Sequence, residues 1–158
     1  VYYDRESKGF GKIEEYNRYY YRNKNEKANF HALRVNGLYD DNIRDLRGQA
    51  GYPEQFQDDI GAFYEFSKDS VFFSAHNIAF DRSFIPFFEK KQKFFCTMSE
   101  NKAIKNGKFP KLREAADYYG IKVEDFNLHD SRYDAFLCLS VIKAMAEEKN
   151  KKLIRLLK

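Results

Sequence analysis

Residues Ser70–Ala75 read SVFFSA, a short and nearly continuous apolar run. A strand with one wet face alternates apolar and polar residues, whereas a strand covered on both faces does not, so this run predicts a buried strand of an α/β sheet. The period changes on either side of it. Phe56, Ile60 and Phe63 follow at spacings of four and three, which predicts an amphipathic helix from Pro53, a favoured first helical residue, to about Ser67. Phe84, Phe87 and Phe88 share one face of a helix expected over Arg82 to Lys91, with Pro86 in its first turn. Phe94–Thr97 is a second short strand candidate. Leu112, Ala115, Ala116 and Tyr119 mark a helix over Lys111 to Tyr119 closed by Gly120, and a last helix is expected from Arg132 to beyond Ala146. Strands alternating with helices, with no repeat, low-complexity tract or linker, indicate a single α/β domain over 1–158.

Upstream, Val1–Tyr3 reads as the end of a strand and Asp4–Lys12, polar with two glycines, as a hairpin loop. Ile13–Arg22 is aromatic-rich. Asn29–Asn36 suits a loop and short helix, Gly37 punctuates, and Tyr39–Arg47 can form a helical turn or two. A length of 158 residues can bury one core, and 43% hydrophobic with 18% aromatic residues excludes a disordered chain. Cys96 and Cys138 lie in apolar runs without Cys-x-x-Cys spacing and are too few for a disulfide framework, so a reducing cytoplasm is expected. No stretch approaches the roughly 18–20 uncharged apolar residues of a membrane span, and no signal-peptide pattern opens the sequence. A net charge of +4 suits a nucleic-acid partner and many other proteins equally well. Lysines cluster at 90, 91 and 93, at 102, 105, 108 and 111, and at 149, 151 and 152; by themselves they read as solvated faces.

Two segments pair a histidine with an aspartate, His76 to Asp81 and His129 to Asp134. Asp81 follows the apolar strand, at the strand end where α/β sheets bind ligands, although an Asp there also suits the N-cap of a helix starting at Arg82. His129 and Asp134, five residues apart, would point roughly 140° away from each other on one helix at about 100° per residue. Asp130 or Ser131 between them can begin the helix, leaving His129 on a loop facing a helical carboxylate, an arrangement suited to a general base beside a metal ligand. Phosphodiester hydrolysis needs an activated water and charge neutralisation, which two divalent ions about 4 Å apart supply, and such ions prefer carboxylate oxygens. Without function, the same residues are a surface histidine and an Asp130/Asp134 pair.

HNIAFD at 76–81 and HDSRYDA at 129–135 resemble the second and third motifs of the DEDDh 3′ to 5′ exonucleases, the family of the proofreading epsilon subunits and ribonuclease T. KLREAADYYGI at 111–121 is similar to the helix and glycine before the third motif, FFCTM at 94–98 to its "DT" strand, and RVNGLYDDNI at 34–43 to its TGI segment, with Asn36 in place of the usual Thr or His. The resemblance covers nearly the whole chain in the family's order. It implies a ribonuclease H-like fold with a mixed central sheet flanked by helices, two Mg2+ or Mn2+ ions, His129 as general base, and Asp81 and Asp134 as metal ligands. By the same resemblance Asn36, Leu38, Asn77 and Phe80 lie near the terminal nucleotide, with plain core packing as the other reading of Leu38 and Phe80. The implied activity is removal of 3′-terminal nucleotides from single-stranded DNA in proofreading or repair. An RNA substrate, polymerase subunits as partners, and a nucleic-acid-binding module with an incomplete site stay open.

The family's first motif, Asp-x-Glu, supplies two of its four carboxylates. Asp4-Arg5-Glu6 is either that motif or a charged hairpin tip. Spacing favours the hairpin: Ile13–Ile43 fits the family's third strand through its TGI segment, so a first motif at Asp4 leaves no residues for the second strand. The first strand and its acids are then expected upstream of Val1, as in an N-terminally truncated domain.

Overall fold

A computed structural model of the chain describes residues 1–4, 6–7, 9–23, 25–85, 92–124 and 130–157. They form a mixed α/β arrangement in two compact units, Val1–Glu14 with Ser70–Lys158, and Glu15–Asp69.

The larger unit opens with a hairpin, β1 (Tyr3–Asp4) antiparallel to β2 (Gly9–Phe10). Asp4 builds the tip: its carboxylate accepts the Glu6 N–H at 2.9 Å and the Ser7 hydroxyl at 2.6 Å. Both bonds hold its carboxyl below the ordinary value. Asp4 and Glu6 therefore belong to a hairpin turn.

β3 (Phe73–Ala75) and β4 (Phe94–Cys96) pair in parallel, with Ser74 opposite Phe95. β3 is shorter than the SVFFSA run predicts, because Ser70–Phe72 lie outside the ladder. Where a helix is expected from Arg82, a short one instead ends: α4 (Ile78–Arg82) follows Asn77, which turns the chain at φ 84°, and residues 83–85 are not helical. Asp81 thus sits inside a helix whose N-cap is Asn77, which corrects its reading as a cap. Pro86 and the rest of that expected helix, 86–91, lie outside the described residues. After β4 come α5 (Thr97–Glu100), a 3-10 turn (Lys102–Lys105) and α6 (Leu112–Tyr118). α6 ends as expected: Gly120 adopts φ 68°, its N–H reaches the Asp117 carbonyl, and the Ile121 N–H reaches the Ala116 carbonyl. α7 (Ser131–Glu147) starts at Asp130, whose carboxylate accepts the Tyr133 N–H at 2.8 Å, and α8 (Lys151–Leu157) starts at Asn150, which caps Lys152 and Leu153.

Leu137, Cys138, Val141, Ile142 and Met145 form one buried stripe of α7, packed with Phe95, with Ala115 and Ala116 of α6 and with Leu153 and Leu157 of α8. Asn101 ties this core together, since its amide donates to the Thr97 carbonyl at 2.7 Å and to the Met145 sulfur at 3.3 Å while its oxygen accepts the Tyr119 hydroxyl at 2.7 Å. A buried amide satisfied on both ends fixes one arrangement of α5, α6 and α7.

The smaller unit holds α1 (Phe30–Asn36), α2 (Asp40–Arg47) and α3 (Phe56–Ser67). Pro53 precedes α3 by three residues rather than opening it. Ile13–Arg22, expected as a strand, carries no ladder among the described residues. Some of its backbone groups find other partners: the Tyr21 N–H donates to the Glu54 carbonyl at 2.9 Å. The Tyr19 N–H donates to the Tyr52 hydroxyl at 3.0 Å, and the Arg47 guanidinium donates to the carbonyls of Tyr19, Tyr52 and Pro53. Arg18, Tyr16 and Tyr20 all converge on one oxygen of the buried Asp59, and the Arg18 guanidinium lies 4.6 Å and 5.0 Å from the Tyr16 and Tyr52 ring centres. These contacts hold Tyr19 and Tyr21 without a neighbouring strand.

Candidate active site

β3 and β4 run parallel, so their carboxyl ends lie side by side, and each passes into a helix there. β3 leads through His76 and Asn77 into α4, which carries Asp81; β4 leads into Thr97. Asp134 stands in the first turn of α7, four residues before Cys138, and residues so spaced share a helix face. The Cys138 sulfur lies 3.6 Å from the Thr97 hydroxyl oxygen. α7 thereby presents the Asp134 face to the strand ends.

Electrostatics report the same convergence. Burial pushes the Cys138 thiol up to about 11, and the negative charges of Asp81 and Asp134 both lie close enough to add to the rise. Asp134 also raises the His76 imidazole, a smaller effect than the burial that lowers it. Asp81 is half-buried, and desolvation pushes its carboxyl above the ordinary carboxylate value. The charges of both aspartates singled out from the sequence are thus felt at one thiol packed against the start of α5.

His76 has a different task from Asp81. Its Nε2 lies 2.9 Å from the Pro110 carbonyl, which can only accept, so Nε2 carries the proton. Nδ1 then accepts from the Thr97 hydroxyl at 3.0 Å. A neutral ring satisfied on both nitrogens pins the end of β3 to the start of α5 and to the segment before α6. Thr97, Pro110 and Cys138 escape the sequence reading; the spacing of four from Asp134 to Cys138 was the available signal.

We expect His76 to titrate below pH 6.5 and to keep its proton on Nε2 at neutral pH. Its folded value is depressed, so the unfolded chain binds the proton first. The stability this ring contributes is complete above about pH 6.5 and is lost as pH falls from there toward the folded value. Nitrogen-15 NMR of the ring reads both quantities; a proton on Nδ1, or titration above 6.5, would refute the arrangement.

The remaining predicted residues divide. Phe80 is 62% exposed, which overturns core packing, and its ring meets that of Phe84 edge to face at 5.0 Å. Asn77 is exposed at the start of α4. Asn36 and Leu38 belong to the smaller unit, where the Asn36 side-chain oxygen accepts the Leu38 N–H at 3.0 Å. His129 lies outside the described residues.

The carboxylate oxygens of Asp81 and Asp134 are donors of the kind that hard divalent cations take, and a cation would relieve the desolvated Asp81. Among the described residues no group of three or more His, Cys, Asp or Glu side chains is gathered closely enough to hold an ion. In kind, these two carboxylates fit Mg2+ or Mn2+.

No protein-family description, curated protein or solved structure matches the chain. Among the described residues no helix is long and apolar enough to cross a membrane.

Proposed function

We propose that this chain belongs to a metal-dependent 3′ to 5′ exonuclease with a ribonuclease H-like fold, acting on single-stranded DNA ends in proofreading or repair. What supports the reading is that Asp81 lies on the helix that leaves β3, and Asp134 in the first turn of α7, whose Cys138 sulfur lies 3.6 Å from the Thr97 hydroxyl just past the parallel strand β4. Carboxylates from a post-strand helix and from the start of a second helix suit a site in which divalent ions activate water and neutralise the leaving oxygen. In this reading Asp81 and Asp134 hold metal, His129 removes the proton of the attacking water, and Phe80 offers an exposed ring to the terminal base. The Asp4 carboxylate is engaged in a hairpin turn, which supports the reading that Asp4-Arg5-Glu6 is a hairpin tip and that a competent site draws further carboxylates from elsewhere.

The test uses the full-length protein with a 5′-labelled single-stranded oligodeoxynucleotide. Shortening one nucleotide at a time from the 3′ end, dependent on Mg2+ or Mn2+ and stopped by a chelator, is the expected result. Intact substrate after incubation with either ion would reject the exonuclease. Faster shortening of the matching RNA would reassign the substrate.

A further inference from the structure

We propose that the segment from Asn101 to Lys111 is a preformed docking surface for single-stranded nucleic acid. No acidic residue occurs from Asn101 to Arg113, while Lys102, Lys105, Lys108 and Lys111 recur every third position. Lys105 is neutralised by Glu114 at 2.7 Å, and Lys111 stands near the same carboxylate. Lys102 instead places its ammonium 4.2 Å from the ring centre of Phe109, which is 54% exposed. An exposed ring topped by a cation, beside a further exposed lysine at 108, presents a face for a base and charges for phosphates.

Both feet of the segment are fixed. Asn101 is buried at one end in its three hydrogen bonds. Pro110 is buried at the other, its carbonyl held by the His76 Nε2–H. Between them Asn106 and Gly107 turn the chain at φ 52° and 88°, and the Gly107 N–H closes onto the Lys102 carbonyl at 2.9 Å. A solvated lysine face requires no such anchoring; a surface that meets a polyanion gains from being ordered before it binds. Through His76 the platform is tied to the end of β3, five residues before Asp81, so a strand lying on it would run toward the candidate site.

The direction of that strand rests on the exonuclease reading; the binding does not. The experiment therefore measures binding alone. Anisotropy of a 5′-fluorescein 15-nucleotide oligothymidylate with the full-length protein in chelator, over a series of salt concentrations, is the readout. Since each phosphate contact on a single strand contributes about 0.7 to the log–log salt slope, K102Q/K108Q/K111Q should weaken binding and flatten the slope by about 2. Phe109→Ala should weaken it about 5- to 150-fold with the slope unchanged, the loss of one stacked base. The exposed lysines of a different region, in K149Q/K151Q, should change neither. An unchanged slope in the triple variant, an equal loss in the control, or no effect of Phe109→Ala would overturn the proposal, whatever the outcome for hydrolysis. Loss of hydrolysis with loop-dependent binding retained would instead reject the enzyme and keep this surface.

Discussion

Asp134→Ala is expected to lower exonuclease turnover about a thousandfold or more while leaving the protein folded. On the proposed mechanism, its carboxylate is one of the groups that hold the ions. Lewis-acid stabilisation by such ions amounts to several kcal/mol, at about 1.4 kcal/mol for each factor of ten in rate. The start of α7 does not depend on this side chain, because Asp130 supplies the cap by accepting the Tyr133 N–H. A carboxylate in the first turn adds about 0.3–1 kcal/mol through the helix dipole, and its loss lowers stability without removing the cap. Rates of nucleotide release measured beside a thermal melt separate the two effects. A variant that melts like the wild type and keeps its rate would remove Asp134 from the site and take the proposed function with it. The isosteric Asp134→Asn should behave as Ala does, since shape without charge does not hold a hard cation.

The second large effect concerns folding. Phe95 is fully buried in the middle of β4, between the ladder partner Ser74 and the apolar stripe of α7. Phe95→Ala removes a whole ring from this centre, and such truncations cost about 3–5 kcal/mol through lost transfer energy and the cavity left behind. Against a total stability of about 5–15 kcal/mol, that is a large share. At about 2–4 °C per kcal/mol for a chain of this size, Tm should fall by about 6–20 °C. Far-UV circular dichroism during heating reads it. A shift under about 2 °C would mean that the core is organised around some other residue.

Elements with short-range signals were legible in the sequence. A cap of α7 at Asp130 or Ser131, of which Asp130 is the one used, and Gly120 as the close of α6 follow from chemistry within one helical turn. The two strands were likewise readable from short apolar runs, though their parallel pairing was not. What escaped depends on distance. Ile13–Arg22 has the aromatic content of a strand, but Asp59, 41 residues beyond Arg18, takes its side chains, and Tyr52 takes the Tyr19 N–H. His76 looked like the partner of Asp81, yet its ring is occupied by groups 21 and 34 residues away. α4 was misplaced for another reason. At five residues it is too short to show a period, and Asn77 turns into it at positive φ without the glycine that would announce the turn.

The junction at Asn101 has a chemical consequence. The chain has two methionines, of which Met98 is half-buried on α5 and Met145 is fully shielded, its sulfur already engaged by the Asn101 amide. Peroxide reaches a thioether only where solvent reaches it, and the sulfoxide it makes is too polar for the space Met145 fills. Oxidation at Met145 must wait for α7 to part from α5 and α6, so its rate clocks that opening, and the more accessible Met98 in the same molecule calibrates the dose.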